Sequence, residues 1–275
     1  MLSPKFSRRR FAALLAATPT LAAQTPPPPR LRRADSFFGL HFDLHPNETD
    51  TVLGRDVTDA MIENLLAKAK PDFVQYDSKG HPGWLGWPSK VGPSAPGIVK
   101  DYLEIWRRVT ARRGVALYIH FSGVWDSQAV KRHPEWARLD ADGKPDPNQT
   151  STYSPYVDQL MIPQLREAAA KYDLDGAWVD GECWATKPDY LAGHPGLPKS
   201  SPRSEKDPGW QEFLEKNREQ FRQYVRHYID ELHRTNPKFQ IASNWLYSTF
   251  VPEEPTLPVD FLSGDYLGNA PISTA

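Results

Sequence analysis

Two acidic residues close a short apolar run in the segment Asp175-Gly176-Ala177-Trp178-Val179-Asp180-Gly181-Glu182. Cleavage of a glycosidic bond needs one protonated carboxyl group to assist the leaving oxygen and one ionised carboxylate to attack the anomeric carbon or activate water. Asp180 fits the ionised role, because it ends the apolar run and Gly181 leaves space for a substrate. Its alternative role is structural, as the cap of a helix or the partner of a basic residue.

The second carboxyl group has two candidates. Glu182 lies two residues after Asp180, so in a continuing strand their Cα atoms would be about 6–7 Å apart on the same face. Asp265 follows another apolar run and could face Asp180 across the end of a sheet. Whichever residue acts as the acid needs a raised pKa. The sequence leaves both candidates open.

Polar and aromatic residues also follow the other apolar runs. We expect them to line the substrate pocket, because the carboxyl ends of strands in an α/β barrel need such polarity only where something binds. In chain order they are His41, Asp43, Asp77, Lys79, His81, His120, Trp125, Asp126, Trp184, Asn244 and Trp245.

A metal site is a competing interpretation of the same residues. His41, His45, His81 and His120 are side chains of the kind that bind first-row metals. However, the segment His41-Phe42-Asp43-Leu44-His45, at the end of the first apolar run, lacks the His-x-His pair of metal-dependent barrel hydrolases. We therefore expect no metal and no cofactor.

Short apolar runs alternate with amphipathic stretches along the chain, which is typical of β-α units and a parallel sheet. The six predicted strands are Phe37–Phe42, Asp72–Tyr76, Val115–Phe121, Gly176–Asp180, Phe239–Asn244 and Val259–Ser263. We predict an α/β fold of the (β/α)8 TIM-barrel type, incomplete at the C-terminus because about six strands are present. A doubly wound sheet is less favoured, since no glycine-rich turn follows the first strand.

Helices are predicted between these strands. Apolar residues at helical spacing indicate helices over 57–69, Tyr102–Arg113, Pro155–Tyr172 and 221–232. Asp56 is predicted to cap the first helix, Pro71 to stop it and Gly114 to end the second.

The N-terminal segment predicts export. Ser7-Arg8-Arg9-Arg10-Phe11 precedes a short apolar stretch, as in a twin-arginine signal. We assign residues 1–23 to a signal peptide, 24–33 to a proline-rich spacer outside the fold, and 34–275 to a truncated catalytic barrel. The expected location is periplasmic or secreted, without a stable membrane anchor, because the apolar stretch is too short to span a bilayer.

Composition restricts the partners of the chain. The 275 residues carry a formal net charge of -1, which argues against a surface for nucleic acid or anionic membranes. Aromatic residues make up 12%, including nine Trp, whose faces can stack on sugar rings. We expect an uncharged carbohydrate partner. The single cysteine, Cys183, excludes an internal disulfide, and the oligomeric state is not indicated.

Two groups of glycoside hydrolases resemble this sequence. Phe38-Gly39-Leu40-His41 and Ala177-Trp178-Val179-Asp180-Gly181 are similar to α-L-fucosidases of glycoside hydrolase family 29. This resemblance implies that Asp180 is the nucleophile of a retaining mechanism and that His41 binds the sugar. Residues 37–266 more closely resemble bacterial proteins classed only as hypothetical glycosyl hydrolases. The motifs that carry this second likeness are Tyr76–Gly83, Ser122–Asp126 and Val179–Trp184.

Together these features predict a retaining exo-glycosidase, α-L-fucosidase-like, that cleaves terminal sugars from glycans. Asp180 would be the nucleophile, and Glu182 or Asp265 the acid/base. One alternative is a β-galactosidase-like barrel in which Glu182 is the acid/base and the nucleophile lies on a later, missing strand. The other is a non-catalytic carbohydrate-binding barrel.

Overall fold

A computed structural model describes residues 28–182, 188–190, 201–244 and 257–263. Its seven strands are β1 (Gly39–Phe42), β2 (Phe73–Lys79), β3 (Ala116–Ser122), β4 (Ala137–Leu139), β5 (Pro145–Thr150), β6 (Gly176–Asp180) and β7 (Gln240–Ser243). β1, β2, β3, β6 and β7 form one parallel sheet in the same order as along the chain. This one-way winding is that of β/α barrels, whereas a doubly wound sheet reverses direction. The α/β prediction is confirmed, and the described residues form an open sheet rather than a closed barrel.

Five α-helices occur in the described residues. They are α1 (Asp59–Ala69), α2 (Tyr102–Arg113), α3 (Ser127–Arg132), α4 (Ile162–Tyr172) and α5 (Trp210–Thr235). α1 packs on α2, α2 on α4, and α4 on α5, so these four helices cover one face of the sheet. Gly114 ends α2 with φ +67°, as predicted. None of the described helices is both long and apolar enough to cross a membrane.

The cap of α1 differs from the prediction. The Thr58 side chain accepts a hydrogen bond from the amide of Met61, whereas Asp56 pairs with Arg55 at 3.1 Å. Thr58 directly precedes the first helical residue, which is where a side-chain oxygen can reach the free amides of the first turn. The assignment of the cap to Asp56 is therefore wrong.

The predicted helix Pro155–Tyr172 forms in two parts. A π-helical turn covers Val157–Met161, and α4 begins at Ile162. Pro163 has no amide hydrogen to donate to the carbonyl four residues earlier, and the wider turn accommodates it. The same turn leaves Tyr156 fully buried, with its hydroxyl donating to the Gly123 carbonyl at 2.8 Å.

Five of the six predicted strands form, but Val259–Ser263 does not. Asp260 lies beside β7, where its amide donates to the Ile241 carbonyl and its carboxylate accepts from the Ile241 amide, both at 2.9 Å. Because a side-chain carboxylate takes the place of a backbone acceptor, the ladder does not continue. The β4–β5 hairpin was not predicted, since the sequence of β5, Pro-Asp-Pro-Asn-Gln-Thr, has no apolar alternation.

Side chains alternate along each strand between two environments. Val74, Leu117 and Ile119 point to the helices and join the main apolar core. The intervening residues Phe73 and Tyr118 point to the inner face, where they pack with Ala116 and Phe261. The inner face near the carboxyl ends of the strands is polar.

A bulge in β2 interrupts this alternation. Asp77 is in register with His120, but Lys79 is in register with Phe121, so Ser78 is an extra residue on β2. The insertion keeps Asp77 on the inner face and turns Lys79 to the helix side.

Residues 28–33 pack against the amino-terminal end of the sheet. Arg30 pairs with Asp173 and Asp175, each at 2.8 Å, and the Arg33 guanidinium lies 3.6 Å from the centre of the Phe73 ring. The expectation that the spacer 24–33 lies outside the fold is therefore wrong for these six residues, because Arg30 pairs with acids between α4 and β6 and Arg33 packs on β2. The predicted signal peptide lies outside the described residues.

A buried ion pair ties α2 to two strands at this end of the sheet. Arg107 Nη1 lies 2.8 Å from Asp175 Oδ2, and that oxygen also accepts from the Leu117 amide at 2.8 Å. Arg107 Nη2 donates to the Val115 carbonyl at 3.3 Å. The side chains of Arg107 and Asp175 are only 9% and 12% exposed, so neither charge has much access to water.

We expect Asp175→Ala to lower the free energy of unfolding by about 3 kcal/mol, because it leaves the Arg107 charge buried without its carboxylate. Urea denaturation followed by circular dichroism measures the loss. Asp158→Ala is the matched control, since Asp158 pairs with His227 at the surface, and it should cost less than about 1 kcal/mol. Equal costs for the two variants would contradict the assigned role of the buried pair.

Candidate active site

The carboxyl ends of β2, β3, β6 and β7 bring polar side chains together on the inner face of the sheet. Asp77 is in register with His120, and Ser122 with Asp180. His120 is also in register with Trp178, and the two rings lie 5.2 Å apart. Because residues two apart on a strand share a face, the strands aim these side chains at one region.

Asp180 is held by two neighbouring strands. Its Oδ2 lies 3.0 Å from His120 Nε2, and its Oδ1 accepts a hydrogen bond from Asn244 Nδ2. Burial would raise the pKa of Asp180, but the hydrogen bonds from His120 and Asn244 outweigh it and hold the pKa well below the usual value. The carboxylate is therefore ionised at neutral pH and fixed in orientation.

His120 lies between two carboxylates. Its Nδ1 is 3.0 Å from Asp77 Oδ1, at ion-pair distance but without the alignment of a full hydrogen bond. Burial would lower the pKa of His120, but Asp180 and Asp77 raise it to about 10. The ring is thus an imidazolium at neutral pH. Asp77 Oδ2 in turn accepts from the amides of Leu44 and His45, which fixes the loop after β1.

His81 is a neutral imidazole beside Asp180. Burial lowers the pKa of His81 to about 4. The Ser122 hydroxyl donates to the Trp125 carbonyl at 2.6 Å, so it accepts from His81 Nδ1–H at 2.7 Å. This assigns the lone pair to His81 Nε2, 3.6 Å from Asp180 Oδ2. The ring stacks on Trp125, with centroids 4.2 Å apart and planes 6° apart.

Gly181 separates Asp180 from Glu182. β6 ends at Asp180, and Gly181 takes φ +74°, which a residue with a Cβ rarely adopts. A Cβ at Gly181 would also lie 3.0 Å from the Trp125 Cβ and 3.2 Å from His81 Cε1. Because the chain turns here, Glu182 does not share a face with Asp180, and the expectation of a shared face is wrong.

Glu182 is fully buried between the sheet and α5. Its Oε2 accepts from the Tyr228 hydroxyl at 2.9 Å and from the Ser243 hydroxyl. Burial, together with the nearby charge of Asp180, raises the pKa of Glu182 to about 8. Glu182 is therefore a protonated core residue at neutral pH.

Lys79 and Asp126, both predicted to line the pocket, form a buried ion pair at 2.7 Å on the helix side of the sheet. Lys79 also donates to the Tyr156 hydroxyl at 3.0 Å, and Asp126 accepts from the Ala129 amide at the start of α3. The bulge in β2 explains this placement. The structure brings these two residues to each other and not to Asp180.

The loop after β1 forms one rim of the site. His41 is exposed, with its ring 5.4 Å from Trp178 and its Nδ1 3.2 Å from Gln75 Nε2. Asp43 is exposed at the rim, with Oδ1 2.9 Å from His45 Nε2. Three other predicted residues lie outside the described part of the chain: Trp184, Trp245 and Asp265.

The sequence patterns did not identify three residues that the structure places in the site. Gln75, Ser122 and Trp178 contact His41, His81 and His120, respectively. Each lies two residues from a predicted site residue on the same strand, so strict alternation from Asp77, His120 and Asp180 would have found them.

Comparisons with known proteins concern the family and the fold of the chain. The sequence model described as Alpha-L-fucosidase matches residues 62–253, which include β2, β3, β6 and β7. Alpha-L-fucosidase isoenzyme 2 from Paenibacillus thiaminolyticus superposes with a TM-score of 0.64 at 21% identity, over 76% of this chain and 32% of that chain. An alpha-L-fucosidase GH29 from Bacteroides thetaiotaomicron gives a TM-score of 0.45 at 18% identity, over 72% of this chain and 36% of that one.

A curated protein matches locally. The 1,4-beta-D-glucan cellobiohydrolase CEL6A of Podospora anserina is 40% identical over 58 residues, which are 20% of this chain and 11% of that protein. The chain thus spans about a third of the Paenibacillus fucosidase and a smaller share of the cellobiohydrolase. The similarity to the Paenibacillus structure shows a common fold with that fucosidase. The family match over residues 62–253 covers well over half of the 275 residues. The chain belongs to the alpha-L-fucosidase family.

Proposed function

We propose that this chain carries the catalytic centre of a retaining, α-L-fucosidase-like glycoside hydrolase that cleaves terminal sugars from glycans, with Asp180 as the nucleophile. The observation that carries the proposal is an ionised carboxylate at the end of β6, oriented by His120 and Asn244. Membership of the alpha-L-fucosidase family supports a glycosidase with a carbohydrate substrate.

In the proposed reaction, a carboxylate oxygen of Asp180 attacks the anomeric carbon as the glycosidic bond breaks and the acid protonates the leaving oxygen. Water then cleaves the ester, with the same acid now acting as base. The imidazolium of His120 and the amide of Asn244 stabilise the carboxylate when it is released. They also keep it unprotonated before attack, since both donate to its oxygens.

Sugar hydroxyls would find a hydrogen-bond acceptor beside the nucleophile. His81 Nε2 carries a lone pair 3.6 Å from Asp180 Oδ2, and stacking on Trp125 fixes the ring. His41 is exposed, and its ring lies 5.4 Å from the Trp178 ring. We propose that His81 and His41 position the sugar.

The burial of Glu182 argues against it as the acid/base. Its pKa of about 8 would keep it protonated, but its carboxyl has no exposure and is held by Tyr228 and Ser243. We therefore propose Asp265 as the acid/base. The same burial disfavours the β-galactosidase-like alternative, which requires Glu182 in that role.

We also propose that the parallel sheet is part of an eight-stranded β/α barrel, since its strands follow one another without reversal. Export by a twin-arginine signal in residues 1–23, to the periplasm or the medium, is part of the same proposal.

We expect Asp180→Asn to lower kcat/KM on aryl α-L-fucosides, or on the best substrate in a panel of aryl glycosides, by about 1,000-fold or more. This loss corresponds to about 4 kcal/mol of transition-state stabilisation. In Asp180→Ala, which leaves space for a small anion, added azide should restore turnover by attacking the anomeric carbon as the aryl group leaves. The glycosyl azide should have the inverted anomeric configuration. Nuclear magnetic resonance identifies that product.

Asp158→Asn, on the surface, is the control and should leave kcat/KM unchanged. Full activity of Asp180→Asn would sink the assignment of the nucleophile. An inactive wild-type chain that still binds the sugars would favour a non-catalytic binding function instead.

A second prediction concerns Glu182→Gln. Folded Glu182 stays protonated up to a pKa of about 8, whereas the unfolded side chain ionises near its ordinary value of 4.5. The raised pKa therefore contributes stability that is present below pH 4.5 and is lost as the pH rises through about 8. Relative to Glu182→Gln, the wild type should lose stability across this window.

Urea denaturation at several pH values measures the difference. Activity at neutral pH should be largely retained in Glu182→Gln, because the amide fits the same hydroxyl groups. Parallel stability curves for the two proteins would show that Glu182 is not protonated in the fold. A large loss of kcat in a stable Glu182→Gln variant would restore Glu182 as the acid/base.

A further inference from the structure

Four side chains beside the candidate active site each place one possible metal-ligand atom in the same small region. They are Asp43, His45, Asp77 and His120, and their donor atoms all lie within 4.8 Å of one another. They come from the loop after β1 and from the ends of β2 and β3. Asp77 and His120 are buried, His45 is half-buried and Asp43 is exposed.

Three of these donor atoms are buried and form no aligned hydrogen bond with any described residue. They are His45 Nε2, Asp77 Oδ1 and His120 Nδ1. Buried polar atoms are costly without a partner, and native proteins almost always provide one. Here the three atoms face one another, so a single bound species can satisfy all of them.

Asp77 and His120 each have a second polar atom, outside the cluster, that already has hydrogen-bond partners. Asp77 Oδ2 accepts from the amides of Leu44 and His45, so Oδ1 is the oxygen that faces His120 Nδ1. His120 Nε2 lies 3.0 Å from Asp180 Oδ2, so Nδ1 is the ring nitrogen that faces Asp77 Oδ1. A histidine that binds a metal through one nitrogen commonly donates to a carboxylate through the other. The pair His120–Asp180 has that arrangement.

The separations suit a small cation. Asp43 Oδ1 lies 2.9 Å from His45 Nε2, and Asp77 Oδ1 lies 3.0 Å from His120 Nδ1. No two of the four ligand atoms are more than 4.8 Å apart. A tetrahedron with metal–ligand bonds of about 2.1 Å has edges of about 3.4 Å. Small side-chain movements would therefore place all four ligands around one ion.

We propose that Asp43, His45, Asp77 and His120 bind one first-row divalent cation of the Zn²⁺ type. Two imidazoles favour Zn²⁺ over Mg²⁺ and Ca²⁺, which prefer oxygen ligands alone. The two carboxylates balance the charge of the ion, and exposed Asp43 provides the side of entry. Because the ion takes the place of the proton on His120 Nδ1, the hydrogen bond from Nε2 to Asp180 is kept.

The site goes beyond the proposed glycosidase activity and does not depend on it. Its role would be to fix the loop after β1 to β2 and β3, next to Asp180. The segment His41–His45 lacks a His-x-His pair, and for that reason no metal is predicted from the sequence. The four ligands instead combine two from that segment with two from later strands.

Metal binding to the tag-free full chain tests the proposal. After chelator treatment and desalting, the protein is titrated with Zn²⁺ in competition with a chromophoric chelator, and separately with Co²⁺. We expect one equivalent of Zn²⁺, an intense visible Co²⁺ band typical of four-coordination, and a raised Tm. Mg²⁺ and Ca²⁺ at the same concentration should leave the Tm unchanged.

Asp43→Asn and His45→Ala test the ligands, and both should bind Zn²⁺ about 100-fold more weakly or worse. His227→Ala is the matched control, because it removes a surface histidine 2.7 Å from Asp158. It should bind as the wild type does. Asp43 is exposed, so Asp43→Asn should fold even if His45→Ala does not, and circular dichroism checks both.

Three results would overturn the proposal: no stoichiometric Zn²⁺ binding by the wild type, wild-type affinity in a folded Asp43→Asn or His45→Ala variant, or equal weakening in His227→Ala. None of these readouts uses glycosidase activity. Failure of the metal site and failure of the proposed function are therefore distinguishable.

Discussion

The charge on His120 is the interaction on which the candidate active site depends. The ring is almost completely buried, and two carboxylates from neighbouring strands keep it positively charged there. A buried charge is stable only when opposite charges and hydrogen bonds surround it. The position of His120 therefore requires Asp77 and Asp180 to be ionised. It also requires β2, β3 and β6 to keep their register, because one residue of slip would turn one of the three side chains to the other face.

This arrangement links stability to the chemistry proposed for Asp180. A carboxylate that attacks carbon must be ionised and correctly aimed, and hydrogen bonds from His120 and Asn244 do both. Asp77 never needs to touch a substrate, yet it contributes by holding His120 and by fixing the amides of the loop after β1. The site is thus preorganised by the sheet itself rather than by flexible loops.

Much of this could be predicted from the sequence because it depends on local patterns. Apolar runs of strand length located five of the strands, and polar residues at their ends located Asp180, His120 and Asp77. The errors arise where long-range geometry overrides local pattern. The bulge at Ser78 turns Lys79 away from the pocket, and the positive φ of Gly181 turns Glu182 into the core. The bulge has no signature in residue type, and the glycine at 181 permits a positive φ without requiring it.

The last residue of β7 and the residue after it contact two different acids. Ser243 donates to Glu182 on the helix side, and Asn244 donates to Asp180 on the inner side. A shift of β7 by one residue would remove both hydrogen bonds at once and leave two carboxyl groups poorly solvated in opposite layers of the protein. The two hydrogen bonds therefore favour the native register over its neighbours. A sheet whose inner and outer faces carry different polar partners specifies strand alignment through both faces, whether or not a substrate is bound.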